Sequence, residues 1–246
     1  MSIQRINYHV FVFAFISLFL FITSSQAAVI NEIRIDQTGA DTDEFFELYG
    51  TAGESLDNLS YLVIGDQSRN QGYIESVIDL SGYQIATDGF FLVTESSFSL
   101  LPDVDLFASL NFENNDNVTH MLVRGFTGNL RDDIDANDDG LIDNTLWSDV
   151  VDSLSLLATT GGGDLTYAAT NIGPQNNSTP NHVYRSIDQT GTWIAGDATA
   201  GTTDNPRVST QAEKIISVPE PSSLLLLMSG LVLPLLRKTP LAESTG

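Results

Sequence analysis

From Asp133 to Asp143 the chain reads Asp-Ile-Asp-Ala-Asn-Asp-Asp-Gly-Leu-Ile-Asp, with a carboxylate or amide oxygen on nearly every second residue. A hard cation such as calcium takes ~6–8 oxygens at about 2.4 Å. Counted from Asp135, the run fits Asp-x-Asn-x-Asp-Gly. Asp135, Asn137 and Asp139 would supply side-chain oxygens, Gly140 the sharp turn, Leu141 its carbonyl, and Asp143 a direct or water-mediated contact. Ile142 is expected to face inward and tie the loop to a core. Asp132, Asp133, Asp135, Asp138 and Asp139 crowd one turn. Without a counter-ion their mutual repulsion opposes a compact loop. The alternative is a solvated Asp-Asn-Gly turn that binds nothing.

The run resembles an EF-hand-type or dockerin-type calcium loop. That resemblance implies a structural calcium ion, held at the ~0.1–1 mM affinity of extracellular modules. The residue at the place of the closing bidentate acid is Leu146, so Asp149 or another strand would have to substitute. No helical pattern flanks the loop.

Other chemistry is thin. Cysteine is absent, which excludes thiol catalysis, thiolate metal sites and disulfides. His120 falls inside an apolar strand and reads as a core histidine; His182 follows Pro180-Asn181 and reads as a surface one. Two histidines without further nitrogen or sulfur ligands do not make a zinc site. No Gly-x-Ser-x-Gly elbow is present. Glu44 and Glu47 could pair for glycoside hydrolysis, but three residues apart on a strand they face opposite sides. Gly161-Gly162-Gly163 lacks a phosphate-loop context. Trp147 and Trp193 read as core. A non-enzyme is expected.

Acidic residues number 32 against 10 basic ones, for a formal net charge of -22. Nucleic-acid binding rests on Lys and Arg neutralising phosphates, so nucleic acid is excluded as a partner. Anionic membrane surfaces are repelled as well. The 246 residues allow one or two domains before the apolar ends are subtracted.

The body of the chain must hold these residues on strands. Short apolar or alternating runs recur between turn signals: Val29 to Ile35, Glu44 to Tyr49, Tyr61 to Ile64, Tyr73 to Leu80, Phe90 to Val93, Val118 to Val123, Val150 to Leu156, and Val183 to Ile187 with Trp193 behind it. Gly50, Gly65-Asp66 and Asp88-Gly89 punctuate them. No window between the apolar ends carries a 3.6-residue period long enough for a helix. The expectation is all-β, a sandwich or barrel.

Val29-Ile30-Asn31-Glu32-Ile33, followed by Asp43-Glu44-Phe45-Phe46-Glu47-Leu48, resembles the opening of a lamin-tail domain. Leu56-Asp57-Asn58-Leu59-Ser60-Tyr61-Leu62-Val63 is similar to the family's next segment, and Thr199 to Asn205 to its closing one. The resemblance implies an immunoglobulin-like β-sandwich over residues 28–206, with an insertion between the strands at Val118–Val123 and Val150–Leu156.

The two ends read as export signals. Residues 1–27 have a positive start at Arg5, an apolar stretch from Val10 to Ile22, and small residues at Ser25 and Ala27, the pattern of a secretory signal peptide. A polar linker, 207–217, precedes Val218-Pro219-Glu220-Pro221-Ser222-Ser223, a leucine-rich run to Leu236, and Arg237-Lys238. The prolines hold the chain extended, where an enzyme can grip it. The apolar run is roughly 15 residues, about 22 Å as a short helix, against a hydrocarbon core of ~30 Å. The basic pair marks the cytoplasmic side. An ordinary tail anchor would not need Pro-Glu-Pro at its outer edge. Residues 218–238 resemble the PEP-CTERM sorting signal of Gram-negative bacteria, although the chain continues through 239–246. The resemblance implies an export translocon and an exosortase-type membrane processing enzyme as partners. It also implies transient inner-membrane attachment, then the cell surface or the extracellular space, as a structural or adhesive component of the exopolysaccharide matrix. A carbohydrate-binding module with exposed Tyr49, Tyr73 or Tyr83 is the alternative, and a secreted hydrolase accessory domain the third reading.

Overall fold

The computed structural model describes residues 27–196 apart from 38, 41, 68–69, 101–102, 111 and 162. The expected signal peptide before Ala27, the Thr199–Asn205 segment, the expected linker 207–217, the expected sorting signal 218–238 with the short apolar helix anticipated there, and the tail 239–246 lie outside the described residues.

Among the described residues every regular element is a strand: β1 (Val29–Arg34), β2 (Phe45–Tyr49), β3 (Leu59–Gln67), β4 (Asn70–Asp79), β5 (Phe90–Thr94), β6 (Leu106–Phe107), β7 (Val118–Arg124), β8 (Asp149–Leu156), β9 (Asn171–Ile172), β10 (His182–Arg185) and β11 (Trp193–Ala195). They form two mixed sheets. The first runs β11-β10-β1-β2-β5-β6 and the second β4-β3-β7-β8-β9. Pairing is antiparallel except for β5–β6 and β8–β9, which are parallel.

Side chains alternate across a strand, so each strand offers one face to each side. Ile30, Ile33, Phe46, Leu48, Phe91, Val93 and Val183 of the first sheet share one apolar core with Tyr61, Val63, Ile78, Val118, Leu122, Leu154 and Leu156 of the second. Phe46 and Tyr61 stack across the two sheets with ring centroids 3.6 Å apart. Arg185 on β10 spans them too. Its Nη2 donates to Asp152 Oδ2 on β8 at 2.8 Å and its Nε to the Ile30 carbonyl at 2.8 Å. The guanidinium lies 4.5 Å over the half-buried Trp193 ring.

The second sheet is buried on its outer face as well. Leu62, Ile64, Ile74, Met121 and Val123 alternate with the main-core residues and form a second apolar cluster with Ile134 and Trp147. Ile134 and Trp147 belong to the segment joining β7 to β8. That segment therefore folds back over the sheet and supplies the apolar cover, and Ile134 is wholly buried there. Full burial of one such side chain stabilises by about 1.5–3 kcal/mol.

Three differences from the sequence expectation have physical causes. Gly65 does not end β3, which continues to Gln67. The Glu75 carboxylate fills the space a Gly65 Cβ would take, so glycine here admits a neighbouring side chain. The last long strand stops at Arg185 rather than Ile187. Strands β6, β9 and β11 have two or three residues each, too few to show a period.

Candidate functional site

The segment between β7 and β8 is pinned to the start of β4. Ile74 N–H donates to the Asp132 carbonyl at 3.0 Å, Arg131 N–H to the Ile74 carbonyl at 2.8 Å, and Ile134 N–H to the Gly72 carbonyl at 2.9 Å. These bonds place Asp135, directly after the plug Ile134, against the sheet.

Asp135 is fully buried. Its Oδ2 accepts from Gly140 N–H at 2.8 Å and from the Tyr167 hydroxyl at 2.9 Å, and its Oδ1 from Asp139 N–H at 3.2 Å. Asn137 Oδ1 accepts from Asp139 N–H at 3.0 Å, and Asp139 Oδ1 from Leu141 N–H at 2.9 Å. Asp138, at φ 55°, accepts from Gln71 N–H at 2.8 Å through Oδ1. Gly140 has φ 85°, the left-handed conformation the sharp turn needs. Leu141 is 68% exposed. Asp143 is exposed, and its N–H donates to the Ile134 carbonyl at 2.8 Å. Ile142 is half-buried and packs on the second apolar cluster. The expected inward anchor is shared by Ile142, Ile134 and Leu146, with Ile134 the most deeply set.

The expected ligands therefore share one loop, wrapped around Asp135. Their oxygens serve the loop's own amides. A carboxylate or amide oxygen keeps a second lone pair after one hydrogen bond, so the donor chemistry fits a hard cation. The side chains are not gathered around one point: among the described residues no three Asp, Glu or His side chains are grouped as metal ligands. A calcium ion would have to draw Asn137, Asp139 and Asp143 inward around Asp135.

Two contributors carry no sequence signal. Tyr167 lies 32 residues beyond Asp135 and bonds it directly. Burial raises the Tyr167 hydroxyl pKa above its ordinary value, then the hydrogen bond to Asp135, then the charges of Asp135, Asp138 and Asp133. Gly72, at φ 83°, lets the loop approach: a Cβ there would sit 2.8 Å from Asp135 Cβ.

A second polar cluster lies on the outer face of the first sheet. Asn31 Nδ2 donates to Glu47 Oε1 at 2.9 Å and to Asp188 Oδ1 at 3.2 Å. His182 Nε2 and Glu32 Oε1 are 2.8 Å apart. His182 is wholly buried, which corrects the surface reading; as the first residue of β10 it pairs with Arg34 of β1 inside the sheet. Burial, then the charges of Glu47 and Asp188, pushes the Glu32 carboxyl well above the ordinary carboxylate range, with Arg34 opposing. Burial, then Arg34, holds the His182 imidazole down at about 3. The contact has ion-pair distance, but burial disfavours the charged form of both partners. Glu44 accepts from Phe112 N–H at 3.4 Å.

His120 is a core histidine. Its Nδ1 lies 2.9 Å from the Tyr61 hydroxyl, and its buried Nε2 has no hydrogen-bond partner among the described residues. Of the aromatics considered for sugar contact, Tyr49 and Tyr73 are half-buried and Tyr83 is 38% exposed. Trp147 is buried in the second cluster.

Fold and loop together define a two-sheet all-β domain with the long β7–β8 segment closed over one outer face. No protein-family model, no curated protein and no solved structure matches this chain.

Proposed function

We propose that the chain is an exported, non-enzymatic protein of the cell surface or extracellular matrix, processed at its C-terminal sorting signal. The observation that carries this reading is the order Pro219-Glu220-Pro221, leucine-rich run, Arg237-Lys238, set behind a domain that itself follows a secretory signal. The translocon would export it, and an exosortase-type enzyme would cut near Val218 to Pro221 and release it toward exopolysaccharide. The lamin-tail resemblance assigns the two-sheet domain to an immunoglobulin-like sandwich with a passive, structural role. Intact-mass measurement of the protein from culture medium tests the proposal. A product beginning near Ala28 and ending near Pro219 supports it; a full-length product retained in cells overturns it.

The inserted loop is the proposed calcium site, with Asp135, Asn137, Asp139, the Leu141 carbonyl and Asp143 as ligands. The ion would be structural and would neutralise crowded carboxylates. A thermal scan with and without millimolar calcium tests it, and an unchanged midpoint removes the ion from the proposal. A second reading, a carbohydrate-binding module for exopolysaccharide, is supported by the exposed Tyr83 ring, which stands edge-on to Phe91 at 5.5 Å. Glycan-array binding that Tyr83→Ala abolishes would favour it.

A further inference from the structure

Ala28 stands directly before β1 and is wholly buried, in the same apolar core as Leu56 and Ile85. Ala27 before it is half-buried. Ala28 N–H donates to Glu54 Oε1 at 2.8 Å, across 26 residues of sequence.

The loop that carries Glu54 is held by its own backbone. Glu54 N–H donates to the Thr51 carbonyl at 2.8 Å, and Ile85 N–H to the Glu54 carbonyl at 2.9 Å. The second carboxylate oxygen, Oε2, accepts from Thr51 N–H at 3.1 Å. Gly50 makes the room. A Cβ there would stand 2.9 Å from Glu54 Oε2 and 3.1 Å from the Ala28 Cβ. Glycine thus lets a half-buried carboxylate reach the backbone nitrogen of a residue set in the core.

In the uncut chain that nitrogen is a peptide N–H, a neutral donor. Hydrolysis of the Ala27–Ala28 bond changes it. Water adds its oxygen to the Ala27 carbonyl carbon, the C–N bond breaks, and both water protons end on the Ala28 nitrogen. The products are an Ala27 carboxylate and an Ala28 ammonium. A buried ammonium is costly unless it is paired. Glu54 already stands at hydrogen-bond distance with the opposite charge. The place Ala27 leaves at the surface admits water to the other two donors.

We infer that Glu54 is the receptor for the α-ammonium group made when the export signal is removed, which rests on residues 1–27 being that signal. The peptidase of the export route supplies the hydrolysis, and the domain supplies the acceptor. The cut itself then locks the start of β1 into the sandwich. A cut one residue to either side moves the ammonium by about 3.4 Å along the strand, out of reach of Glu54.

The test uses the full-length gene product, expressed with its own ends in an export-competent bacterium and recovered from all fractions. Intact mass reads the N-terminus. The α-amine is then acylated at neutral pH, and its adduct is measured by peptide mapping against that at Lys214, one of two lysines in the chain. Only the neutral amine reacts, and a carboxylate in contact disfavours that form by about one pKa unit or more. A product starting at Ala28 is expected, and Glu54→Gln should speed its acylation on the order of tenfold. Glutamine keeps an oxygen for the Ala28 and Thr51 donors, so the change reports the charge. Gly50→Ala leaves every charge in place and should act in the same direction, by driving the carboxylate off; it decides the question should Glu54→Gln not be recovered. A product starting at Ala28 whose α-amine reacts equally fast in parent and variant overturns the inference and leaves the export reading standing. A product retained uncut, or cut elsewhere, overturns the export reading and the role of Glu54 with it.

Discussion

The Tyr61 hydroxyl lies 2.9 Å from His120 Nδ1 in the main core, where both residues are fully buried. The two belong to neighbouring strands, β3 and β7, and Tyr61 also stacks on Phe46 from the opposite sheet. One polar contact thus sits inside the apolar interface that holds the sandwich together. A half-satisfied polar group in such a place is expensive.

Tyr61→Phe keeps the stacking and removes the hydroxyl. His120 would then have both ring nitrogens buried without a partner. The expected loss is about 1–3 kcal/mol. Urea unfolding read by fluorescence measures it, and an unchanged midpoint would show that the bond contributes nothing.

Burial holds His120 down at about 3, from an ordinary 6.5. Between those values the unfolded chain binds a proton that the folded chain does not. Stability therefore falls as pH drops below about 6.5, by up to ~1.4 kcal/mol per pH unit for this group. Glu32, whose carboxyl is raised, acts oppositely: it favours the folded state at low pH and loses that advantage as pH rises through its folded pKa. His120→Asn should flatten the acid limb of the stability profile by about one proton. Parallel limbs for the two proteins would assign the acid sensitivity elsewhere.

Asp135 gathers three donors, so Asp135→Ala leaves Gly140 N–H, Asp139 N–H and the Tyr167 hydroxyl without their acceptor. We expect about 2–3 kcal/mol from the variant, and about 1 kcal/mol from Tyr167→Phe. The double variant should fall short of the sum, because the two share one bond. Trypsin cleavage after Arg131, an exposed residue of the same segment, should accelerate in step with the loosened loop.

Gly72→Ala puts a side chain at φ 83° and drives a Cβ to 2.8 Å from Asp135 Cβ. Strain of this kind costs about 1–3 kcal/mol, before any displacement of the loop. Gly82→Ala is a suitable comparison, with φ 87° and nothing within 4 Å. The difference in melting temperature between the two variants isolates the contact with Asp135.

Arg185 of β10 joins the first sheet to Asp152 of β8 in the second. Arg185→Lys keeps the charge but cannot reach Asp152, the Ile30 carbonyl and the Trp193 face together. A loss of about 1–2 kcal/mol is expected from the missing charge-assisted bonds. Calorimetry with Asp152→Asn as the partner variant should show the two losses to be non-additive.

Eight strands were legible because each carries an alternation or an apolar run long enough to read. Val118 to Arg124 shows what that reading lacks. Its residues point alternately to two different apolar clusters, so the strand is buried on both sides. Nothing local says that Ile134 and Trp147, many residues on, supply the second cover. The acidic loop was legible as a set of oxygens, but its partner Tyr167 was not, since one tyrosine between loops carries no period and no motif. His182 was misread for the same reason: its Pro-Asn prelude suggests exposure, and only pairing between β10 and β1 buries it.

The amino-acid order alone settled that the domain is built of strands, that it has no thiol chemistry, and that its charge is strongly negative, because period, composition and charge are local or additive properties. The tertiary structure alone decided which carboxylates and histidines are buried, and which of them face one another. Those depend on contacts between residues tens to more than a hundred positions apart, such as Glu32 with His182, and long-range contacts leave no trace in a local pattern.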